Sequence, residues 1–262
     1  MVFVAGHFGE WLQGTVGAER RVALVTLACP VAGVRAAVTG AGALAIAQNA
    51  DLLTLARCRD FLSRLGLAAR GQVRLRADLP PGGGTGMSTA ALVALARAAG
   101  AAEDRIAGAC LAVEGATDPL MLACPDGVLW APREAQLMCD MPPPAVEIVG
   151  GFWGPPCRTD PQDTAFPSID DLVAAWAKGP PAEEAARLAS LSAERTTALR
   201  GPQGDPTPAL ARRLGALGHA RAHTGPARAL IFAPGKAPTE AETTLAEAGF
   251  AHVLRFRTGG RA

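Results

Sequence analysis

Between Gln72 and Gly100 the chain changes period, and that change limits what it can fold into. Gln72, Arg74, Arg76 and Asp78 alternate with Val73, Leu75, Ala77 and Leu79, the period-2 pattern of a strand with one wet and one buried face. Pro80 and Pro81 stop it, because proline has no N–H to give to a ladder. Gly82, Gly83, Gly84, Thr85 and Gly86 follow, and Met87, Ser88 and Thr89 then open a run of helix formers from Ala90 to Ala99. A glycine-rich turn feeding a helix start offers free backbone N–H groups and the positive end of the helix dipole. Two readings stand on these residues: a flexible turn whose Ser88 and Thr89 cap their own helix, or an anion site that takes a phosphate.

Two familiar phosphate loops are excluded. The P-loop needs a lysine at the helix start, but the only lysines are Lys178 and Lys236. A dinucleotide fingerprint needs a wholly apolar parallel strand before the glycines, and here that strand is half polar. The run from Pro81 to Ala91 instead resembles the Pro-x-x-x-Gly-x-Gly-Ser-Ser-Ala-Ala loop of the GHMP kinases (galactokinase, homoserine kinase, mevalonate kinase and relatives). That loop wraps the phosphates of ATP without a lysine. The resemblance implies that Pro81, Gly82, Gly83, Gly84, Thr85, Gly86, Met87, Ser88 and Thr89 bind nucleotide, with Ser88 helping to hold Mg²⁺. Met87 stands where the family has its first serine.

A length of 262 residues suits one large domain or two modest ones sharing an interface. With 49% hydrophobic and 19% charged residues, wholesale disorder is excluded and a sizeable core is expected. The formal charge of +1 balances 25 basic against 24 acidic residues without a long basic tract, so neither nucleic acid nor an anionic membrane is expected as a partner. Six cysteines lie scattered with no Cys-x-x-Cys pair, which points to small buried hydrophobes rather than a zinc site or a disulfide framework. The first residues lack a basic region followed by an apolar segment, and no uncharged stretch is suited to crossing a bilayer. A soluble, cytoplasmic protein, monomeric or homodimeric, is expected.

Met1 to Ala5 reads as a short strand, and Gly6 to Gly14 as an irregular loop with His7, Glu10 and Gln13 between aromatic residues. Without further information Glu10 is equally a solvated hairpin residue. Gly9-Glu10-x-x-Gln13-Gly14, followed by Val25-Thr26-x-x-Cys29-Pro30-Val31, resembles the opening of the L-threonine kinase branch of the GHMP kinases. That branch serves cobalamin synthesis and propanediol utilisation. In related kinases the opening lines the acceptor pocket, which makes Glu10 and Gln13 substrate-contact candidates. His7 and Phe8 stand where that branch has Thr and Cys.

Strands are expected over Arg20–Cys29 and Ala32–Thr39, parted by Pro30, with Leu44–Ala47 pairing back after a turn. A helix is expected over Asp51–Leu67, with Arg57, Arg59 and Asp60 facing out. In the next helix, Ala102–Glu114, Glu114 ends the apolar stripe of Ile106 and Cys110. A carboxylate on a buried face needs a partner, a cation or a raised pKa. It is either a snorkelling helix end or a Mg²⁺ ligand facing Ser88, since Mg²⁺ takes few protein oxygens alongside those of phosphate. Glu114 to Met121 resembles the Glu-Pro-Thr-Asp-Gly-x-Met segment of threonine kinases, one residue longer before Thr117-Asp118. This adds Asp118 as a candidate for orienting or deprotonating an acceptor hydroxyl.

A hairpin over Gly127–Cys139 precedes the proline-dense Met141–Pro144, the expected boundary between domains 1–144 and 145–262. A strand Val146–Trp153 follows, then Asp163 as a helix-start cap, and helices over Asp171–Ala177, Ala182–Leu199 and Pro208–Ala220. Ala222-His223-Thr224-Gly225, before a strand at Ala227–Ala233, resembles the third GHMP motif in its threonine-kinase form, and marks His223, Thr224 and Gly225 as substrate-binding candidates. Helix Glu240–Ala248 and strand Val253–Arg257 close the chain.

The resemblance runs through the whole chain in order. It implies an α+β protein, with a ribosomal-S5-like N-terminal domain and a ferredoxin-like C-terminal domain meeting ATP, Mg²⁺ and a small-molecule acceptor in the cleft between them. Ser88, Glu114 and Asp118 are the expected catalytic residues, and L-threonine the expected acceptor. Another small-alcohol kinase (homoserine or sugar) and a non-catalytic nucleotide-binding or small-acid-binding paralogue are the alternatives.

Overall fold

The structure, a computed structural model, describes residues 1–259. The last three residues of the expected second domain lie outside that range. The fold is mixed α+β. In chain order the elements are β1 (Val2–Val16), β2 (Arg21–Ala43), β3 (Ala45–Gln48), α1 (Leu55–Arg64), β4 (Arg70–Ala77), α2 (Met87–Ala98) and α3 (Glu103–Glu114). They continue with β5 (Val128–Ala131), β6 (Gln136–Asp140), β7 (Val146–Phe152), α4 (Asp170–Trp176), α5 (Ala182–Arg200) and α6 (Thr207–Arg213). The chain closes with β8 (Gly218–Arg221), β9 (Ala227–Phe232), α7 (Ala241–Glu247) and β10 (Ala251–Thr258).

Among the described residues all ten strands belong to one sheet, ordered β10-β7-β9-β8-β1-β2-β4-β3, with β5 pairing both β2 and β6. The sheet passes without a break from strands before Met141–Pro144 to strands after it. Strand β4 alternates exposed and buried residues as its sequence requires. Helix α2 lies over β1, β2 and β4. It is apolar nearly all round, and the residues from Thr89 to Ala96 are all buried, as expected of a helix in the core.

Several expectations need correction. The segment Gly6–Gly14 is no loop: β1 runs unbroken from Val2 to Val16 against β2. Its glycines serve close packing, since a Cβ at Gly6 or Gly14 would overlap neighbouring main chain. Register shifts between Ala5 and Gly6, and around His7 to Leu12, mark bulges in the ladder. Pro30 does not split β2, because it sits in the first of these bulges, where no ladder hydrogen bond is needed. Strand β3 pairs in parallel with β4 rather than folding back on β2.

Helix α1 starts only at Leu55, where the Thr54 hydroxyl accepts from the Arg57 N–H at 3.2 Å. Helix α6 ends at Arg213, and Gly215 (φ +67) turns the chain into β8, a strand hidden inside the expected helix Pro208–Ala220. Gly218 lets β8 lie directly on α5. Asp163 caps no helix: it accepts from the Ala165 N–H at 2.9 Å and pairs with Arg200 at 2.5 Å. Cys29, Cys58 and Cys110 are buried as expected, whereas Cys124, Cys139 and Cys157 are exposed, and all six are free thiols. Among the described residues no helix is long and apolar enough to cross a membrane.

A candidate active site at the glycine-rich loop

The glycine-rich loop is held from below by its carbonyls. Those of Gly82, Gly83, Gly84 and Thr85 accept from the N–H groups of Cys157, Ala227, Gly9 and His7, at 2.9, 3.0, 3.4 and 3.2 Å. With its carbonyls turned inward, the loop keeps its donors free: the N–H groups of Gly84 to Thr89 give no hydrogen bond to any described residue. Gly82, Gly84 and Gly86 all have positive φ, at +77, +75 and +66, and Gly86 caps α2 without any side-chain bond. Unsatisfied donors at the positive end of a twelve-residue helix make an anion cradle.

The cradle opens on a cavity of about 300 Å³. Glu114, at the end of α3, lies across from the start of α2. Its carboxylate accepts from the Ser88 hydroxyl and, at 3.1 Å, from the Thr89 hydroxyl, and Arg57 reaches it at 3.2 Å. Arg57 therefore does not simply face out. Burial pushes the Glu114 carboxyl above its ordinary range, and the Ser88 hydrogen bond only partly offsets this. A nearly buried carboxylate beside two hydroxyls and one half-exposed guanidinium is short of positive charge, and it is an all-oxygen donor set. That chemistry fits Mg²⁺, which needs one or two protein oxygens and takes the rest from phosphate and water. Among the described residues no group of three or more His, Cys, Asp or Glu side chains gathers to hold a metal by itself.

On the other wall stands a group that sequence reasoning left without a role. His7 Nε2 is 3.3 Å from an Asp118 carboxylate oxygen, and its Nδ1 is 3.4 Å from one of Glu10. In a regular strand, residues three apart point to opposite faces. The bulge at Gly9, with φ +81, breaks that alternation and brings His7 and Glu10 together. Burial alone would lower the His7 pKa, but the carboxylates of Glu10 and Asp118 outweigh it and raise the imidazolium to about 9. Burial raises Glu10 to about 8 against the pull of His7. Burial also works against the Asp118 anion, yet the imidazolium and a Thr89 contact hold it below the ordinary aspartate value. The directions favour His7⁺ facing Asp118⁻, with Glu10 holding its proton more tightly than an ordinary glutamate, because burial penalises a second anion beside one cation. The signal available in the sequence was a histidine three residues before a glutamate with a glycine between them.

The other expected residues divide. Thr224 and His223 line the cavity. Burial keeps the His223 imidazole neutral, with its pKa pulled down to about 3, and its ring stacks on Phe166 at 4.0 Å. Gly225 lies beneath the loop instead; a Cβ there would come 2.7 Å from the Gly84 nitrogen. Gln13, expected to touch an acceptor, is instead fully buried outside the cavity. Its amide donates to the Arg221 carbonyl at 2.8 Å, and its N–H to the Ser192 hydroxyl at 2.9 Å, tying β1 to β8 and α5. Arg133, Arg158 and Thr159, none of them assigned to the site from the sequence, also line the cavity.

No family model matches the chain, and no curated protein matches it in sequence. Its shape is shared with solved structures. The Methanococcus jannaschii mevalonate kinase is 14% identical with a TM-score of 0.64, over 100% of this chain and 98% of that one. The L. major mevalonate kinase in complex with R-mevalonate is 13% identical with a TM-score of 0.60, over 100% and 97%. The homoserine kinase from Cytophaga hutchinsonii is 15% identical with a TM-score of 0.57, over 100% and 94%. At such identities the likeness establishes a common fold along the whole chain.

Proposed function

We propose that this chain is an ATP- and Mg²⁺-dependent kinase of the GHMP type that phosphorylates a hydroxyl group of a small molecule. The observation that carries the reading is the Ser88–Glu114 pair set beside a lysine-free loop whose N–H groups from Gly84 to Thr89 have no acceptor among the described residues and which lines the cavity. The fold shared with mevalonate and homoserine kinases supports it. Residues Pro81 to Thr89 then receive the triphosphate, and Ser88 and Glu114 are the side chains that would hold Mg²⁺. When bound, the metal neutralises charge on the phosphates.

Phosphoryl transfer asks the protein mainly for position and charge. The loop amides and the α2 terminus stabilise charge on the β- and γ-phosphates. Asp118, kept ionised by His7, takes the acceptor's hydroxyl proton as the oxygen bonds to the γ-phosphorus and ADP leaves. His7 acts through Asp118 as a positioning residue. Glu10, Thr224 and His223 are the groups offered to the rest of the acceptor.

Our proposed acceptor is L-threonine, giving O-phospho-L-threonine for cobalamin synthesis or propanediol utilisation. It rests on the Gly9-Glu10-x-x-Gln13-Gly14 and Glu114 to Met121 resemblances. Homoserine is the second reading, favoured by the homoserine kinase among the solved structures of this fold. The test is ADP release with and without Mg²⁺ on L-threonine, L-serine, L-homoserine and 2-aminobutyrate. A site that hydrogen-bonds its substrate rejects analogues lacking the matching group by orders of magnitude. Ser88→Ala and Glu114→Gln are each expected to lower kcat by roughly 10²-fold or more. Wild-type turnover in both variants would refute the site, while homoserine outrunning threonine would refute only the acceptor.

A further inference from the structure

A second cavity, of about 330 Å³, lies behind β8 and shares no lining residue with the first. Two of its residues, Arg221 and Arg228, are only 6% and 2% exposed. The buried carboxylate available to them is that of Asp205, and its oxygens are already committed. One accepts from Arg228 Nε at 2.5 Å; the other accepts from the Thr207 N–H and hydroxyl at 2.9 and 2.5 Å. Arg221 is left with neutral acceptors: the Thr197 hydroxyl and the Gly201 carbonyl, both at 2.7 Å, and the Ala222 carbonyl at 3.4 Å. Neither guanidinium Nη2 has a hydrogen-bond acceptor among the described residues. Glu194 stands exposed at the rim.

A buried guanidinium without an anion is costly, because the desolvation penalty goes unmatched. We propose that this cavity binds the carboxylate of a small organic acid, received by the free Nη2 groups of Arg221 and Arg228. The charge count selects a monoanion: two buried cations against one buried anion leave one charge to neutralise, and a phosphate dianion would overshoot. Planar guanidinium groups suit a carboxylate. His219, also in the lining, adds no charge, since burial pulls its pKa to about 4. Burial, with Arg228 adding repulsion, also drags the Arg221 pKa down to about 10, as expected of a cation lacking its partner. Ala193, Ala198, Pro202 and Pro208 give the remaining wall an apolar character, suited to a short carbon chain. The volume exceeds what a single water or halide fills.

The main chain of Arg221 pairs with Glu10 of the first cavity, so the test must separate the two sites. Propionate is titrated calorimetrically against propionamide and sodium chloride at matched ionic strength. Propionate is expected to bind with one equivalent per chain and to raise Tm, while the two controls do neither. Arg221→Gln, which keeps an N–H for the Gly201 carbonyl, is expected to lower propionate affinity by roughly tenfold or more. Arg133→Gln, in the first cavity, is expected to leave it unchanged. Should Arg221→Gln fail to fold, NOEs from the propionate methyl in the unaltered protein decide: contacts to Ala193 and Ala198 are expected. Propionate binding no better than propionamide, full affinity in Arg221→Gln, loss in Arg133→Gln, or NOEs to Val22 and Leu24 alone would each overturn the proposal.

Discussion

His7 carries more of this site's electrostatics than its place in the sequence advertises. Its imidazolium is held at about 9 against an ordinary value of 6.5, so its contribution to stability is complete below pH 6.5 and disappears as pH rises through 9. Glu10, raised from 4.5 to about 8, begins its loss earlier: its contribution is complete below pH 4.5 and is lost as pH rises through 8, so it reinforces the decline over the part of the range it shares with His7. His223 runs the other way. Lowered from 6.5 to about 3, it contributes above pH 6.5 and loses that contribution as pH falls toward 3. We therefore expect Tm to decline between pH 6.5 and 9, with the His7 ring still doubly protonated by ¹⁵N NMR at pH 7.5. Asp118→Asn should lower the His7 pKa and reduce kcat by roughly 10²-fold or more. A neutral His7 ring at pH 7.5 would refute this charge assignment. Glu114 was legible in the sequence because a lone acid closed an apolar helical stripe. His7 was not, because its partners depend on a bulge and on a loop more than a hundred residues away.

At the level of elements, the loop between β4 and α2 is shaped by what lies under it. Gly84 has φ +75, and a Cβ there would overlap the Ala222 methyl and the Thr224 carbonyl. Gly17 has a similar φ of +71 with nothing within 4 Å. Gly17→Ala should cost only the left-handed backbone penalty, about 1 kcal/mol. Gly84→Ala should cost that plus an overlap of roughly 1–3 kcal/mol, and should raise the KM for ATP by displacing the loop. Equal Tm losses in the two variants would show that the loop is free to move off its support. Gly86 faces a different neighbour, the His7 ring, whose Cδ2 would be 2.5 Å from an added Cβ. A substitution there disturbs the His7–Asp118 pair as well as the loop. The strand-turn-helix order was readable because alternation, proline and glycine are local signals. That β8 interrupts a helical-looking run was not, since Gly218 to Ala220 becomes strand only by pairing with β9 and packing on α5.

For the whole molecule, we propose that segments 1–144 and 145–262 unfold together. One sheet joins them, and Phe8 of β1 stacks on Phe152 of β7 at 5.6 Å, while Trp11 meets Trp176 of α4 at 5.3 Å. A single calorimetric transition, with calorimetric and van't Hoff enthalpies equal, is the expected result. Two resolved transitions would instead make the halves independent. The α+β class was available as an implication of the family resemblance; the sequence by itself determined the position and period of β4, the glycine loop and α2, and the acid closing α3. Each of these rests on residues near one another in the chain, where sterics and hydrophobic period act directly. Tertiary structure alone decided that β1 is a continuous central strand, that Gln13 braces the sheet away from the cavity, and that His7 joins Asp118. It also decided that Asp205 pairs with the buried Arg228 and that Arg221 beside it is left with neutral acceptors. Those outcomes depend on strand register and on charges brought together across the fold, and burial then sets the strength of every such encounter by removing the water that would screen it.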